Sequence, residues 1–132
     1  MTRETAEPGA VVEAFLDAIE KHDPERARGL LADVGFHYRS PISEFSDADA
    51  FIADMTYRTG ILRRFELRKA FVDGGDVCHF LSVHIQISSR VKVDAVLWAQ
   101  VADGRVQRME MLFDAYPYRS LFPAGTEPPS WL

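Results

Sequence analysis

In the first half of the chain, apolar positions recur at helical spacing. Val11, Val12, Phe15, Leu16 and Ile19 form one stripe, and Pro8 stands where a first helical turn accepts a proline. "HDPERARGLLA" restarts a helix with Asp23 as N-cap, Pro24 at the first helical position, and Leu30 and Leu31 on the buried side. "FHYRSP" is short, aromatic and stopped by Pro41, which predicts a strand. "SDADAFIADMTYRTG" predicts a third helix with Ser46 as N-cap, acidic residues in its first turn and Gly60 as its stop. Beyond it, "RFELRKAFV", "VCHFLSVHIQI", "VKVDAVLWAQV" and "RVQRMEMLF" are runs of strand length separated by "DGGD", "SS" and "ADG". These turn signals predict an antiparallel meander. The order predicts an α+β domain, three N-terminal helices packed against a curved antiparallel sheet, with a concave space of the kind that holds small molecules.

Alternation divides each strand into two faces. In "VCHFLSVHIQI", Val77, His79, Leu81, Val83, Ile85 and Ile87 share one face and Cys78, Phe80, Ser82, His84 and Gln86 the other. The first is aliphatic and suits burial against another sheet, such as that of a dimer partner. The second mixes aromatic, hydroxyl and imidazole groups, which suits a ligand pocket. On the next strand, Val91, Val93, Ala95, Leu97, Ala99 and Val101 alternate with Lys92, Asp94, Val96, Trp98 and Gln100. His37 alternates away from Phe36, Tyr38 and Ser40 and is expected to point outward.

Composition narrows the function classes. The chain has 132 residues, 47% of them hydrophobic, which fits one folded domain. A formal net charge of −5 argues against nucleic acid or an anionic membrane as main partner. The single cysteine, Cys78, excludes an internal disulfide and a multi-cysteine metal site. No signal-peptide pattern or bilayer-length apolar run is present, so a cytoplasmic protein is the expectation. No phosphate loop, dinucleotide fingerprint or zinc motif occurs, so neither a cofactor nor a metal is expected. "RTGILRRFELRK" gathers Arg58, Arg63, Arg64, Arg68 and Lys69, read as a solvated strand edge or, alternatively, a phosphate- or carrier-binding patch.

"VVEAFLDAIEKHD" with "LLAD", then "YRSP", then "DGRVQRMEMLFD" resemble, in that order and spacing, the nuclear-transport-factor-2-like superfamily. The likeness is to its SnoaL-like and ketosteroid-isomerase-like branch and runs from Val11 to Tyr118. It implies a cone-shaped α+β barrel and a single SnoaL-like domain over residues 1–118. The Pro/Gly-rich composition of 119–132 predicts a tail without regular structure, tied down by Phe122 and Trp131. The resemblance also implies a homodimer through the outer sheet face, with Trp98 either an anchor there or covered by the chain's own tail. The family register would put Phe80, Ser82 and the small aliphatic face around Leu97 in the cavity.

The inherited catalytic positions have mostly changed. Where steroid isomerases carry a carboxylate base stands Ser40; their oxyanion-hole tyrosine falls at Phe15, and their protonated aspartate near Leu97. One accessory tyrosine survives as Tyr57, and the Asp-Arg-Asp set of limonene-epoxide-hydrolase-type enzymes falls at Ser82, His84 and Met111. Without those carboxylates, neither mechanism carries over directly.

The expectation is therefore a cofactor-independent acid/base enzyme, of cyclase, isomerase or dehydratase type, acting on a small apolar polycyclic or aromatic molecule. His84 is its candidate proton carrier, or else a histidine satisfied by Ser82, Gln86 or a backbone carbonyl. Asp114 is a second candidate, matching the later-strand aspartate of SnoaL-like cyclases, although alternation turns it away if Met109, Met111 and Phe113 face the pocket. Phe15, Tyr38, Ser40, Tyr57, Cys78, Phe80, Ser82, Leu97, Met109, Met111 and Phe113 are the expected lining. The alternative is a non-catalytic dimeric ligand-binding or protein-association module, favoured if the pocket is closed, dry and small.

Overall fold

A computed structural model describes residues 7–58, 61–86 and 89–114, with the side chains of residues 57 and 58 excepted. Four expectations lie outside these described residues: the Tyr57 side chain, the Gly60 stop, Ile87, and the tail over 119–132 with Phe122 and Trp131. The elements are α1 (Pro8–Glu20), α2 (Pro24–Gly29), β1 (His37–Arg39), β2 (Glu44–Phe45), α3 (Ala48–Arg58), β3 (Leu62–Asp73), β4 (Asp76–Gln86), β5 (Arg90–Ala102) and β6 (Arg105–Phe113).

Helix α1 starts on Pro8 and buries the predicted stripe, Val11, Val12, Phe15, Leu16 and Ile19, with Ala18. His22, at φ 56°, takes the left-handed conformation that turns the chain into α2. The Asp23 side chain then accepts from the Arg26 N–H at 3.2 Å, the expected N-cap. The helix ends at Gly29, so Leu30 and Leu31 lie beyond it rather than on its buried side. Leu31 instead forms a parallel bridge with Val106 and is fully buried. The start of α3 is one residue later than expected. The Asp47 carbonyl accepts from Phe51 N at 3.0 Å and its side chain from Asp49 N at 3.2 Å, so Asp47, not Ser46, caps it.

The sheet is curved and unclosed, in the order β2-β1-β6-β5-β4-β3. Strands β3 to β6 form the predicted meander. Two features differ from a purely antiparallel sheet: β2 is an additional short strand, and β1 pairs with β6 in parallel. Because α3 carries the chain across to the far edge, the meander returns to β1 from the side and β6 meets it in the same direction. Asp103 and Gly104, at φ 55° and 74°, turn β5 into β6 with the left-handed pair that matches strand twist. At Gly75 a side chain has no room, since a Cβ would sit 2.6 Å from the Val101 carbonyl oxygen.

The three helices cover one face of this sheet. At one end of the resulting core, Phe51 of α3 stacks on Tyr38 at 4.5 Å between ring centroids and meets Phe36 and Phe45 at 5.5 and 5.7 Å. Phe51 is fully buried and joins α3 to β1 and β2. Phe51→Ala is expected to lower unfolding stability by about 3–5 kcal/mol in urea titration, the range for removing a buried aromatic ring.

Candidate functional site

The pairing of β4 with β5 decides which side chains can meet a molecule between helices and sheet. His79 lies opposite Leu97, Leu81 opposite Ala95 and Val83 opposite Val93. Directly opposed residues share a face, so Val77, His79, Leu81, Val83 and Ile85 join the small aliphatic side of β5 beneath the helices. All five are buried. Cys78, Phe80, Ser82, His84 and Gln86 therefore stand on the convex face, the reverse of the orientation expected from the sequence. The aliphatic face is the chain's own core layer, because the apolar stripes of α1 and α3 need an apolar surface to cover them.

Between the layers, Phe15, Leu16, Tyr38, Met55, Phe65, Val83, Leu97, Met109 and Met111 surround a cavity of about 20 Å³. That is room for about one water, against ~300–1,000 Å³ for a typical small-molecule site. Of the expected lining residues, Phe15, Tyr38, Leu97, Met109 and Met111 are brought together here. Leu16, Met55, Phe65 and Val83 were not foreseen. Leu16 and Met55 are part of apolar helix patterns, which show burial but not a shared void.

The polar atom of this cavity's lining is the Tyr38 hydroxyl, 4.0 Å from the Met111 sulfur. Burial pushes its pKa above the ordinary phenol value, against the effect of a hydrogen bond with Ser40. The hydroxyl is therefore held neutral, a hydrogen-bond donor rather than a base. Ser40 belongs to the β1–β2 connection, its Oγ 3.0 Å from that of Ser43 and accepting from Ile42 N at 3.3 Å. Phe113 is half-buried opposite Ala95, at the end of β6, and Asp114 follows it exposed.

On the convex face, His84 Nε2 lies 2.9 Å from Glu66 Oε1 on β3. Ser82 Oγ donates to Asp94 Oδ1 at 2.6 Å, and Asp94 also meets Arg68 at 3.7 Å. The hydrogen bond with His84 is the main cause holding Glu66 below the usual carboxylate range, and that from Ser82 does the same for Asp94. Neither carboxylate was a candidate, because only cross-strand register puts Glu66 beside His84. Ser82 and His84 lie on the convex side and Met111 on the concave side, so the three positions matching the epoxide-hydrolase set do not converge.

The same face carries exposed apolar groups, Phe71, Phe80, Trp98 and Leu112, at 56, 43, 41 and 55% exposure. Half-buried Cys78 lies between Phe71 and Trp98 in the register. The Trp98 indole donates to Asp76 at 3.0 Å. His37 points outward as expected and meets Glu44 at 2.6 Å. Among the described residues, no three His, Cys, Asp or Glu side chains are grouped as metal ligands, and no helix is long and apolar enough to cross a membrane.

No family model and no functionally curated protein matches the sequence. Solved structures do match the fold. An NTF2-like protein of unknown function from Cytophaga hutchinsonii superposes with a TM-score of 0.77 at 18% identity, over 90% of this chain and 99% of its own. A protein with a ketosteroid-isomerase-like fold from Catenulispora acidiphila, in complex with trimethylamine, gives 0.76 at 14%, over 95% and 100%. A limonene-epoxide-hydrolase-like (LEH-like) epoxide hydrolase of M. tuberculosis gives 0.74 at 25%, over 86% and 87%. The fold is the nuclear-transport-factor-2-like α+β fold expected from the sequence.

His79 is the exception in the apolar layer: it is 1% exposed and neither ring nitrogen has a hydrogen-bond partner. Desolvation lowers its pKa, partly opposed by the charge of Glu13 on α1. Below the ordinary histidine value of about 6.5, the unfolded chain then binds a proton that the folded chain refuses. Its contribution to stability is thus full above that value and declines as pH falls toward the lowered one. His79→Leu is expected to flatten the loss of urea stability as pH falls below about 6.5, by at most ~1.4 kcal/mol per pH unit.

Proposed function

We propose that this chain is a non-catalytic, homodimeric binding module of the NTF2-like fold, associating through its convex sheet face. The observation that carries this reading is the small size of the cavity that the described residues form between helices and sheet. Among the described residues that cavity measures about 20 Å³, and the imidazole best suited to move a proton stands on the other side of the sheet. Acid/base turnover of a polycyclic molecule needs both room and a positioned base.

The dimer rests on Phe71, Phe80, Val96, Trp98 and Leu112. They cluster across β3 to β6 because Phe80 faces Val96, which faces Leu112. Large exposed aromatics beside a polar strip have the layout of an interface, with apolar anchors at the centre and charges at the rim.

A second reading, an enzyme or binding protein for a small apolar or aromatic molecule, is favoured by the cavity's composition. Met55, Met109 and Met111 are adaptable side chains that can yield space around the neutral Tyr38 donor. The ligand-bound neighbour, with trimethylamine, is compatible with it.

Sedimentation of the full chain at micromolar concentration is expected to give a dimer of two 14.9 kDa chains. Phe80→Asp/Trp98→Asp should convert it to a folded monomer. A monomeric full chain that dimerises once residues 119–132 are removed would assign the patch to the tail and sink the proposal. For the interior, a naphthalene-sized probe is expected to leave Tm unchanged. A rise of several degrees, lost in Tyr38→Phe, would favour the second reading, since a ligand stabilises only the state it binds.

A further inference from the structure

At the end of the sheet nearest the α1–α2 turn, a groove of about 580 Å³ runs across three strands. Its lining includes one rung of the sheet, Leu62 opposite Ile85 opposite Val91, of which Leu62 and Ile85 are buried and Val91 is half-buried. The next rung, Arg64, His84 and Lys92, forms part of its wall, with Arg63, Arg90 and His22 completing it. Arg63 falls at the register shift between Leu62 and Arg64. Four Arg and Lys side chains thus share one recess in a chain of net charge −5.

The charges within the groove are unevenly balanced. Glu66 serves His84 at 2.9 Å and Arg64 at 3.8 Å. Arg63, Arg90 and Lys92 form no ion pair among the described residues, whereas elsewhere Arg26, Arg28, Arg68 and Arg105 each meet an aspartate. The groove is also not the basic run seen in the sequence. Arg68 turns to Asp94, and Lys69 lies over the Phe71 ring at 5.6 Å, both outside it. Arg90, Lys92 and the two histidines come from other parts of the chain.

Three cations without a close ion pair among the described residues, Lys92 still acting on Glu66 and Asp94 at longer range, suit one compact multivalent anion when gathered in a recess. A phosphomonoester carries about −1.5 to −2 at neutral pH, and its oxygens match the planar guanidinium fork in a bidentate manner. Half-buried Val91 supplies an apolar contact for the rest of such a molecule, and the volume is that of a small-ligand site. We propose that this groove binds the phosphate group of a phosphorylated small molecule whose apolar part rests against half-buried Val91. The site stands whether or not the interior cavity takes a ligand, since the two share no lining residue.

Calorimetric titration of the full chain at about 50 mM salt, where screening is modest, tests the assignment with three probes: inorganic phosphate, phenyl phosphate and phthalate. Phenyl phosphate is expected to bind more tightly than inorganic phosphate, and phthalate, an aromatic dicarboxylate, more weakly than either. Arg63→Glu/Arg90→Glu should weaken phenyl phosphate by about a hundredfold, as loss of two charge-assisted contacts implies. Arg68→Glu, outside the groove, should leave it unchanged. Circular dichroism establishes that each variant is folded, and Arg63→Gln/Arg90→Gln replaces the charge reversal if that variant is not. No binding of phenyl phosphate, equal binding by the double variant, or phthalate binding as tightly as phenyl phosphate would overturn the proposal.

Discussion

The pairing of β4 with β5 is the constraint on which the rest of the molecule depends. Opposed residues sum to an even number, His79 with Leu97 and Phe80 with Val96, so odd positions of both strands share one side. A slip of one residue would move Leu81, Val83 and Ile85 into solvent and bring Ser82, His84 and Gln86 under α1. The helices could not cover such a surface without stranding polar groups. The inner layer therefore specifies the register, and the register specifies what the convex face displays.

Two surfaces of different character follow. On the concave side, Phe15, Leu16, Met55, Met109 and Met111 face Val83 and Leu97 around a cavity of about 20 Å³ among the described residues. The convex side divides along the strands. One end carries Glu66, Arg68, Ser82, His84 and Asp94 in a hydrogen-bonded and charged strip, and the other carries Phe71, Phe80, Val96, Trp98 and Leu112. His84, expected inside, instead belongs to the charged end, where its partner is a carboxylate on the edge strand.

The strands and most helix limits were legible because local chemistry marks them. Pro8 and Pro24 open helices, Asp23 caps one, and Gly74, Asp103 and Gly104 supply the left-handed turns. The face of β4 was not legible from that strand alone. Alternation says that Val77 to Gln86 has two sides, but only the number of residues in the turn beyond it says which side matches Val93, Ala95 and Leu97. The mixture of Phe80, Ser82 and His84 looks like pocket chemistry in isolation, yet the same mixture is what an amphipathic outer face requires. Pairs such as His84 with Glu66, and the gathering of Arg63 with Arg90, depend on register across 18 and 27 positions and have no local signature.

The outer strand β3 carries two register shifts, between Leu62 and Arg64 and between Leu67 and Lys69. Such irregularities, with Arg63, Arg64, Arg68 and Lys69 beside them, break the straight row of backbone groups that another strand would need in order to add on. At the opposite border, β2 is only two residues long. With both borders poor templates, copies of this chain are steered away from end-to-end sheet extension, which has no natural stopping point. The proposed contact through a broad face differs in kind, since a two-fold axis closes it after one partner. The bulged edge thus bears on assembly size by disfavouring the open-ended growth of a fibre.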